Sequence, residues 1–337
     1  MTGIRHLHPV PPESATGLVA QVYAQARRDF GLLPPIPLHS PDPPLLAGMW
    51  AVLRETLVAG QIPRPIKEAA AAAISRLNRC PYCVDAHSLM LVAAGQRTAA
   101  REIVAGRESS VQDEDLRRAV AWAAASRSPG APELANRPFP EHAAELVGTA
   151  AAFHYINRMA HVFLPDSPFP LPPGTGWAKG LVMRLVAGRF APGLTRGYTS
   201  GDALSLLPEV ELPAGLPWAR SNPAVAGAYA RFASAVDSLA REALSTQVRD
   251  LVVARVDSWN GADPGLGRGW LEEAVAALPE EDKPAGRLTL LTALASYQVD
   301  DGIVAAFRVR HSEDRHLLGA VSWASFIAAR RVASWLS

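Results

Sequence analysis

The chain is poor in cysteine, with two in 337 residues, Cys80 and Cys83. That scarcity excludes a disulfide-stapled scaffold of the kind small secreted domains use. An excess of one charge is also missing: 33 Lys and Arg face 32 Asp and Glu, for a net +1. Neither a nucleic-acid nor a membrane partner is expected from such a balance. No run of about eighteen apolar residues occurs, so no membrane span is read. The first residues, MTGIRHLHPVPPESATG, contain no apolar core of a signal peptide. With a C-x-x-C pair and no export signal, a reducing, cytoplasmic location is expected. Period-two alternation is absent too, which argues against strands. Gly261 to Gly269 is glycine-rich but follows a helical pattern rather than a strand, so no phosphate loop and no cofactor are expected.

What is present is apolar and helical. Hydrophobic residues make up 49% and charged residues 19%, enough for a large core and against disorder. Alanine dominates the segments with helical period, and the expected fold is all-α. Helices are read at Ser14 to Phe30 with Ser14 as N-cap, Leu45 to Ala59, and Ile66 to Leu77. Further helices are read from Cys80 to near Gly95, Gln96 to Ala105, Asp113 to Ser126, and Glu141 to Phe163. Proline-rich loops interrupt them at 33–44 and 129–140. A third proline run, 165–176, reads as a linker between a first half, 1–164, and a second, 177–337.

The chemistry concentrates in Glu68 to His87, EAAAAAISRLNRCPYCVDAH. Pro81 suits a first helical turn, so a helix opens near Cys80 after a tight turn at Asn78 and Arg79. Cys80, Cys83 and His87 then share one face. A thiol near a helix N-terminus is shifted toward thiolate, and an imidazole one turn on can accept its proton. Cys83 is in register with His87 and is the expected attacking thiol. Cys80, nearer the exposed helix start, is the expected resolving one. The helix before is apolar almost all round, so Glu68 is expected to be half-buried and partnered by the thiol–imidazole pair. A zinc site needs about four ligands, and only Cys80, Cys83 and His87 cluster, so no metal is expected.

The spacing Glu-x11-Cys-x2-Cys-x3-His, here Glu68, Cys80, Cys83 and His87, resembles the alkylhydroperoxidases of the carboxymuconolactone decarboxylase superfamily. The string Asn78 to His87 is similar to their peroxidase-related branch, and the stretch from Val22 to Leu57 also resembles the family. Tyr82 stands where better-described members carry a histidine. The resemblance implies a thiol-dependent peroxidase acting on a hydroperoxide and recycled by a lipoamide-type or thioredoxin-like dithiol. It also implies a homo-oligomer. The alternative from the residues alone is a disulfide relay or redox sensor. Lactone decarboxylation, the activity of members without the cysteine pair, is disfavoured by that pair.

The second half repeats the first. Ile66, Ala70, Ile74 and Leu77 recur as Val248, Val252, Val256 and Trp259, at a constant offset of 182 residues. Glu68 falls on Asp250, Cys80 on Ala262, Cys83 on Gly265 and His87 on Gly269. The second copy therefore keeps helical pattern and loses the redox residues, and its glycines are expected to break the start of a cysteine-type helix. The tryptophans at 177, 218, 259, 270, 323 and 335 are expected to anchor the core or an interface. The apolar face of Ser322 to Leu336 suggests self-association. His154, Asn157, Arg158 and His161, at helical spacing, are expected to cap or to face a subunit boundary.

Overall fold

The computed structural model of the chain describes residues 3–169 and 176–337, apart from the side chains of 176–179. Among the described residues it is all-α. The helices are α1 (Gly17–Asp29), α2 (Pro43–Leu53), α3 (Arg64–Leu77), α4 (Pro81–Ala93), α5 (Arg97–Val104), α6 (Glu114–Ala124), α7 (Pro132–Ala135) and α8 (Ala143–Phe163). They continue as α9 (Gly176–Ala187), α10 (Ala191–Thr195), α11 (Pro223–Ala243), α12 (Thr246–Asp257), α13 (Gly269–Val275), α14 (Lys283–Ala295), α15 (Asp301–Arg308) and α16 (Asp314–Leu336). Residues 170–175 of the expected linker and the side chain of Trp177 lie outside the described residues.

Local chemistry sets the helix starts. Asp42 caps α2, its carboxylate accepting the Leu45 N–H at 2.9 Å, and Pro43 and Pro44 occupy the first turn, where no donor is needed. Asp113 caps α6 in the same way. The first helix starts later than expected. Its N-cap is Thr16 rather than Ser14, because Ser14 closes a turn onto the Pro11 carbonyl. α2 ends in a π-helical turn, Arg54–Val58. That turn carries Arg54 into the interior, where Asp29, Glu55 and Asp202 receive its guanidinium at 2.8–2.9 Å. A cation there needs such partners to offset its lost hydration.

The tandem repeat is visible in the packing. α2, α3 and α8 recur as α11, α12 and α16, and like packs on like: α2 against α11, α8 against α16. Gly48 permits the first contact, since a Cβ there would lie 2.9 Å from the Phe232 Cα. The apolar residues of both halves form one continuous core. As expected, the cysteine-type helix is broken in the second copy. Residues 258–268 are not α-helical, and only α13 remains, the counterpart of His87 to Ala93. Asp250, the counterpart of Glu68, is exposed.

Two expectations change. The face of α16 that suggested self-association is covered within the chain: Trp323, Phe326, Val332 and Leu336 are buried, and α16 packs on α8, α11 and α14. Trp335 packs at a tilt against Trp259, ring centroids 5.5 Å apart. Of the polar side chains of α8, His154, Asn157 and Arg158 are buried within the chain and His161 is partly buried, with consequences for the site.

Buried neutral histidines give the fold an acid limit. The His39 Nδ1–H donates to the Pro35 carbonyl at 3.0 Å, and its Nε2 accepts from the Tyr155 hydroxyl at 2.8 Å. Burial pushes its pKa from 6.5 to about 4. His154, wholly buried, moves the same way, by burial first and then by Arg158 and Arg127. Because the folded values lie below the unfolded one, the unfolded chain binds protons first. The His39 contribution is complete above pH 6.5 and falls between pH 6.5 and 4, by about 1.4 kcal/mol per pH unit, and His154 acts in the same direction. Urea midpoints should therefore drop steeply across that window, and less steeply in His39→Gln. Equal slopes for the two proteins would remove His39 from the account.

Candidate active site

The turn between α3 and α4 determines where the thiols sit. α3 ends in a Schellman arrangement, with the Cys80 N–H donating to the Ser75 carbonyl at 2.8 Å and the Arg79 N–H to the Arg76 carbonyl at 3.0 Å. Arg79 takes the left-handed position, φ 57°, which glycine usually fills at a helix end. The departure costs an arginine on the order of 1–2 kcal/mol. Side-chain contacts hold it there: its guanidinium pairs with Asp263 at 3.1 Å and lies 5.2 Å from the Tyr297 ring, both from the second half. Cys80 is the N-cap of α4, and Cys83 lies in its first turn.

α8 supports that turn from behind. The Asn78 amide donates to His154 Nδ1 at 3.0 Å and to the Asn157 carbonyl oxygen at 2.9 Å. His154 Nε2–H then donates to Ser126 Oγ at 2.9 Å, and the Asn157 amide to Ser75 Oγ at 3.1 Å. His161 Nε2–H donates to the Arg79 carbonyl at 2.9 Å, while its Nδ1 accepts from Ser296. The four α8 residues read as boundary polars thus include three that hold the cysteine turn. Their helical spacing is legible in the sequence; their partner is not, because it lies about 80 residues away.

Glu68, Cys80, Cys83 and His87 come together. Both cysteines are free and buried, Cys80 1% exposed and Cys83 2%. Cys80 is therefore not the more exposed thiol, contrary to the sequence reading. Its distinction is different: it lies beneath the turn, whereas Cys83 lines a cavity of about 760 Å³. Burial pushes the Cys80 thiol well above its ordinary pKa, and the adjoining Cys83 sulfur, within hydrogen-bonding contact, pushes the same way. Glu68 is fully buried rather than half-buried. Its Oε2 accepts from His87 Nδ1–H at 2.6 Å. His87 also lines the cavity, its ring packed edge-on against Phe153 at 4.4 Å. Burial raises the Glu68 pKa, but the His87 bond and charge and the Arg64 guanidinium outweigh it and hold the carboxyl below its ordinary value.

Arg64 is the residue sequence reasoning missed. It sits one turn before Glu68 on α3, with Nε on Oε1 at 3.1 Å, and is itself buried. Its other arm donates to the Gly193 carbonyl of α10 at 3.0 Å, and its guanidinium lies 5.1 Å from the Phe30 ring. The i, i+4 spacing of Arg64 and Glu68 was the available signal. Together, Arg64 and His87 use both oxygens of the buried carboxylate.

The cavity walls are apolar and come from across the chain. Met90 and Phe153 line it near the site, Leu33, Pro34 and Pro35 come from the first proline-rich loop, and Pro165, Pro168 and Phe169 from the third. Val186 and Phe190, at and just beyond the end of α9, close another side. Both proline runs read as connectors are thus walls. Tyr82 lines the cavity as well, with burial pushing its phenol above the ordinary value.

The profile of the carboxymuconolactone decarboxylase family matches residues 43–125, from α2 to the end of α6. The chain is 41% identical, over 338 aligned positions, to a Mycobacterium tuberculosis protein named alkyl hydroperoxide reductase Rv2159c, covering 100% of this chain and 96% of that one. No solved structure matches the chain.

Proposed function

We propose that this chain, which belongs to the carboxymuconolactone decarboxylase family, is a thiol-dependent hydroperoxidase in which Cys83 attacks and Cys80 resolves. The observation that carries the reading is the opening of Cys83 and His87 onto one apolar cavity, with Glu68 on the far nitrogen of His87 at 2.6 Å. Glu68 fixes the tautomer: Nδ1 keeps its proton, and Nε2 is the base that takes the proton of Cys83. The thiolate attacks the terminal oxygen of a hydroperoxide. An S–O bond forms as the O–O bond breaks, and the alkoxide leaves with the proton returned by His87, as an alcohol. Cys83 is then a sulfenic acid, oxidised by two electrons. Cys80 attacks that sulfur, its proton leaving with the hydroxyl as water, and a Cys80–Cys83 disulfide results. An external dithiol returns the two electrons by exchange.

The burial of both sulfurs bears on the reductant. A thin dithiol arm of the lipoamide type fits access through a cavity, whereas a folded thioredoxin-like surface does not reach behind one. A reducing, cytoplasmic setting belongs to the same proposal, since the thiols must be restored each cycle. Decarboxylation, the reaction in the family's name, gives the cysteine pair no role.

The apolar lining predicts substrate size. Each CH₂ group buried contributes about 0.8 kcal/mol, so a bulky alkyl group gains on the order of tenfold to a hundredfold in rate constant over a proton in its place. Stopped-flow oxidation of the reduced protein should accordingly be faster with cumene hydroperoxide than with hydrogen peroxide. Equal rate constants would contradict the role given to the cavity, and no oxidation by either would end the peroxidase reading in favour of a disulfide relay.

A further inference from the structure

Between Asp166 and Asp202 the sequence contains no acidic residue but carries Lys179, Arg184, Arg189 and Arg196, although the whole chain of 337 residues holds 32 Asp and Glu. α9 lies within this basic stretch. Its inward face supplies Val186 to the cavity wall, and Phe190 follows from the next turn. Its outward face carries Leu181 and Leu185, one helical turn apart, with side chains that are 54% and 73% exposed. Arg184 shares that face, and Arg189 and Arg196 are exposed beside it. Single exposed leucines are ordinary on protein surfaces. Two in register on a cationic helix, with a catalytic apolar cavity under its other face, are a different arrangement.

We infer that the outward face of α9 docks on an anionic lipid surface. The leucines enter the interface and the arginines meet acidic headgroups, the division of labour of an amphipathic helix lying in a membrane plane. This revises the expectation, drawn from net charge, of no membrane partner. The whole-chain value of +1 averages over a local cationic patch. No helix among the described residues is long and apolar enough to cross a membrane, so the contact is with the surface. The occupant is a lipid surface rather than a second copy of the chain because the patch is uniformly positive, and two copies facing each other there would repel. Docking through α9 would bring a membrane-borne hydroperoxide next to the cavity. The docking stands on the face alone, whereas that delivery rests on the peroxidase reading.

The test is sedimentation of the full chain with vesicles of phosphatidylglycerol and phosphatidylcholine, against phosphatidylcholine alone. Binding should require the anionic lipid and weaken with added salt. It should fall at least about tenfold in Leu181→Glu/Leu185→Glu and in Arg184→Glu/Arg189→Glu. These positions touch neither Cys83 nor the cavity, so oxidation by soluble cumene hydroperoxide should be unchanged, while oxidation by a phospholipid hydroperoxide in the vesicles should fall. Failure of the wild-type chain to bind, or equal binding by the variants, overturns the inference. It is overturned as well if light scattering shows that the leucine pair holds two chains together. Vesicle binding without any hydroperoxide turnover would sink the peroxidase reading and leave the docking face standing.

Discussion

Cys83→Ser is expected to abolish hydroperoxide consumption, whereas Cys80→Ser should consume one equivalent per chain and stop at the sulfenic acid. The asymmetry follows from position rather than from exposure, since both sulfurs are buried. Cys83 lines the cavity with His87, and its neighbour Cys80 has its thiol held in the protonated form by burial and by the Cys83 sulfur. The sulfur that meets peroxide must ionise against a base, and only Cys83 shares the cavity with one. Mass spectrometry after dimedone trapping reads the outcome directly: an adduct on Cys83 in Cys80→Ser and none on Cys80 in Cys83→Ser. The opposite pattern would reverse the roles. The raised pKa of Cys80 also implies that resolution, in the wild-type chain, speeds up as pH rises.

Glu68→Gln should lower the rate constant for Cys83 oxidation by about 10²- to 10⁴-fold, the range typical of a lost general base. A glutamine keeps the shape of the side chain but not the charge that fixes the His87 tautomer. It also leaves Arg64 as a buried cation without its carboxylate, a loss that costs on the order of 3–5 kcal/mol. Rate and stability can be separated by the double variant Arg64→Leu/Glu68→Gln. Removing both partners should recover much of the stability without recovering the rate. A double variant that regains activity would show that Glu68 acts only through folding. The pH sign is distinct from that of the histidines. The folded pKa of Glu68 is depressed, so its contribution is present above the unfolded value of 4.5 and is lost as pH falls through the folded one. The double variant should lose less stability than wild type across that acid limb.

The cysteine helix was legible because every cue for it is local. Pro81 can stand only in a first turn, and the spacing of Cys80, Cys83 and His87 places them on one face whatever surrounds the helix. The repeat was legible for a related reason. The apolar period that runs through Ile66, Ala70 and Ile74 returns at Val248, Val252 and Val256, and buried positions tolerate only apolar replacements. The glycines at 265, 267 and 269 likewise announced a broken helix, since glycine weakens any helix it enters.

The supports of the site were not legible, because they join residues far apart in the chain. Nothing in a periodic pattern tells Asn78 that it meets His154, or Arg79 that Asp263 and Tyr297 hold it in a left-handed turn. Proline content marked 33–44 and 165–176 as irregular, yet Pro37–His39 forms a short 3-10 turn and Pro43 and Pro44 open α2 rather than belonging to a loop. The composition could not say that Leu33, Pro34, Pro35, Pro165 and Pro168 would wall a cavity. The apolar face of α16 could be read; that α8 and α11 cover it could not.

The sequence by itself determined that the chain is helical, duplicated and equipped with one C-x-x-C pair in register with a histidine, because propensity, period and spacing act within a few turns. Only the tertiary structure decided which sulfur faces the cavity, that Glu68 is shared between His87 and Arg64, and that α9 of the second half closes the site of the first. Those outcomes depend on which surfaces bury one another, and burial is a property of the packed chain rather than of any segment of it.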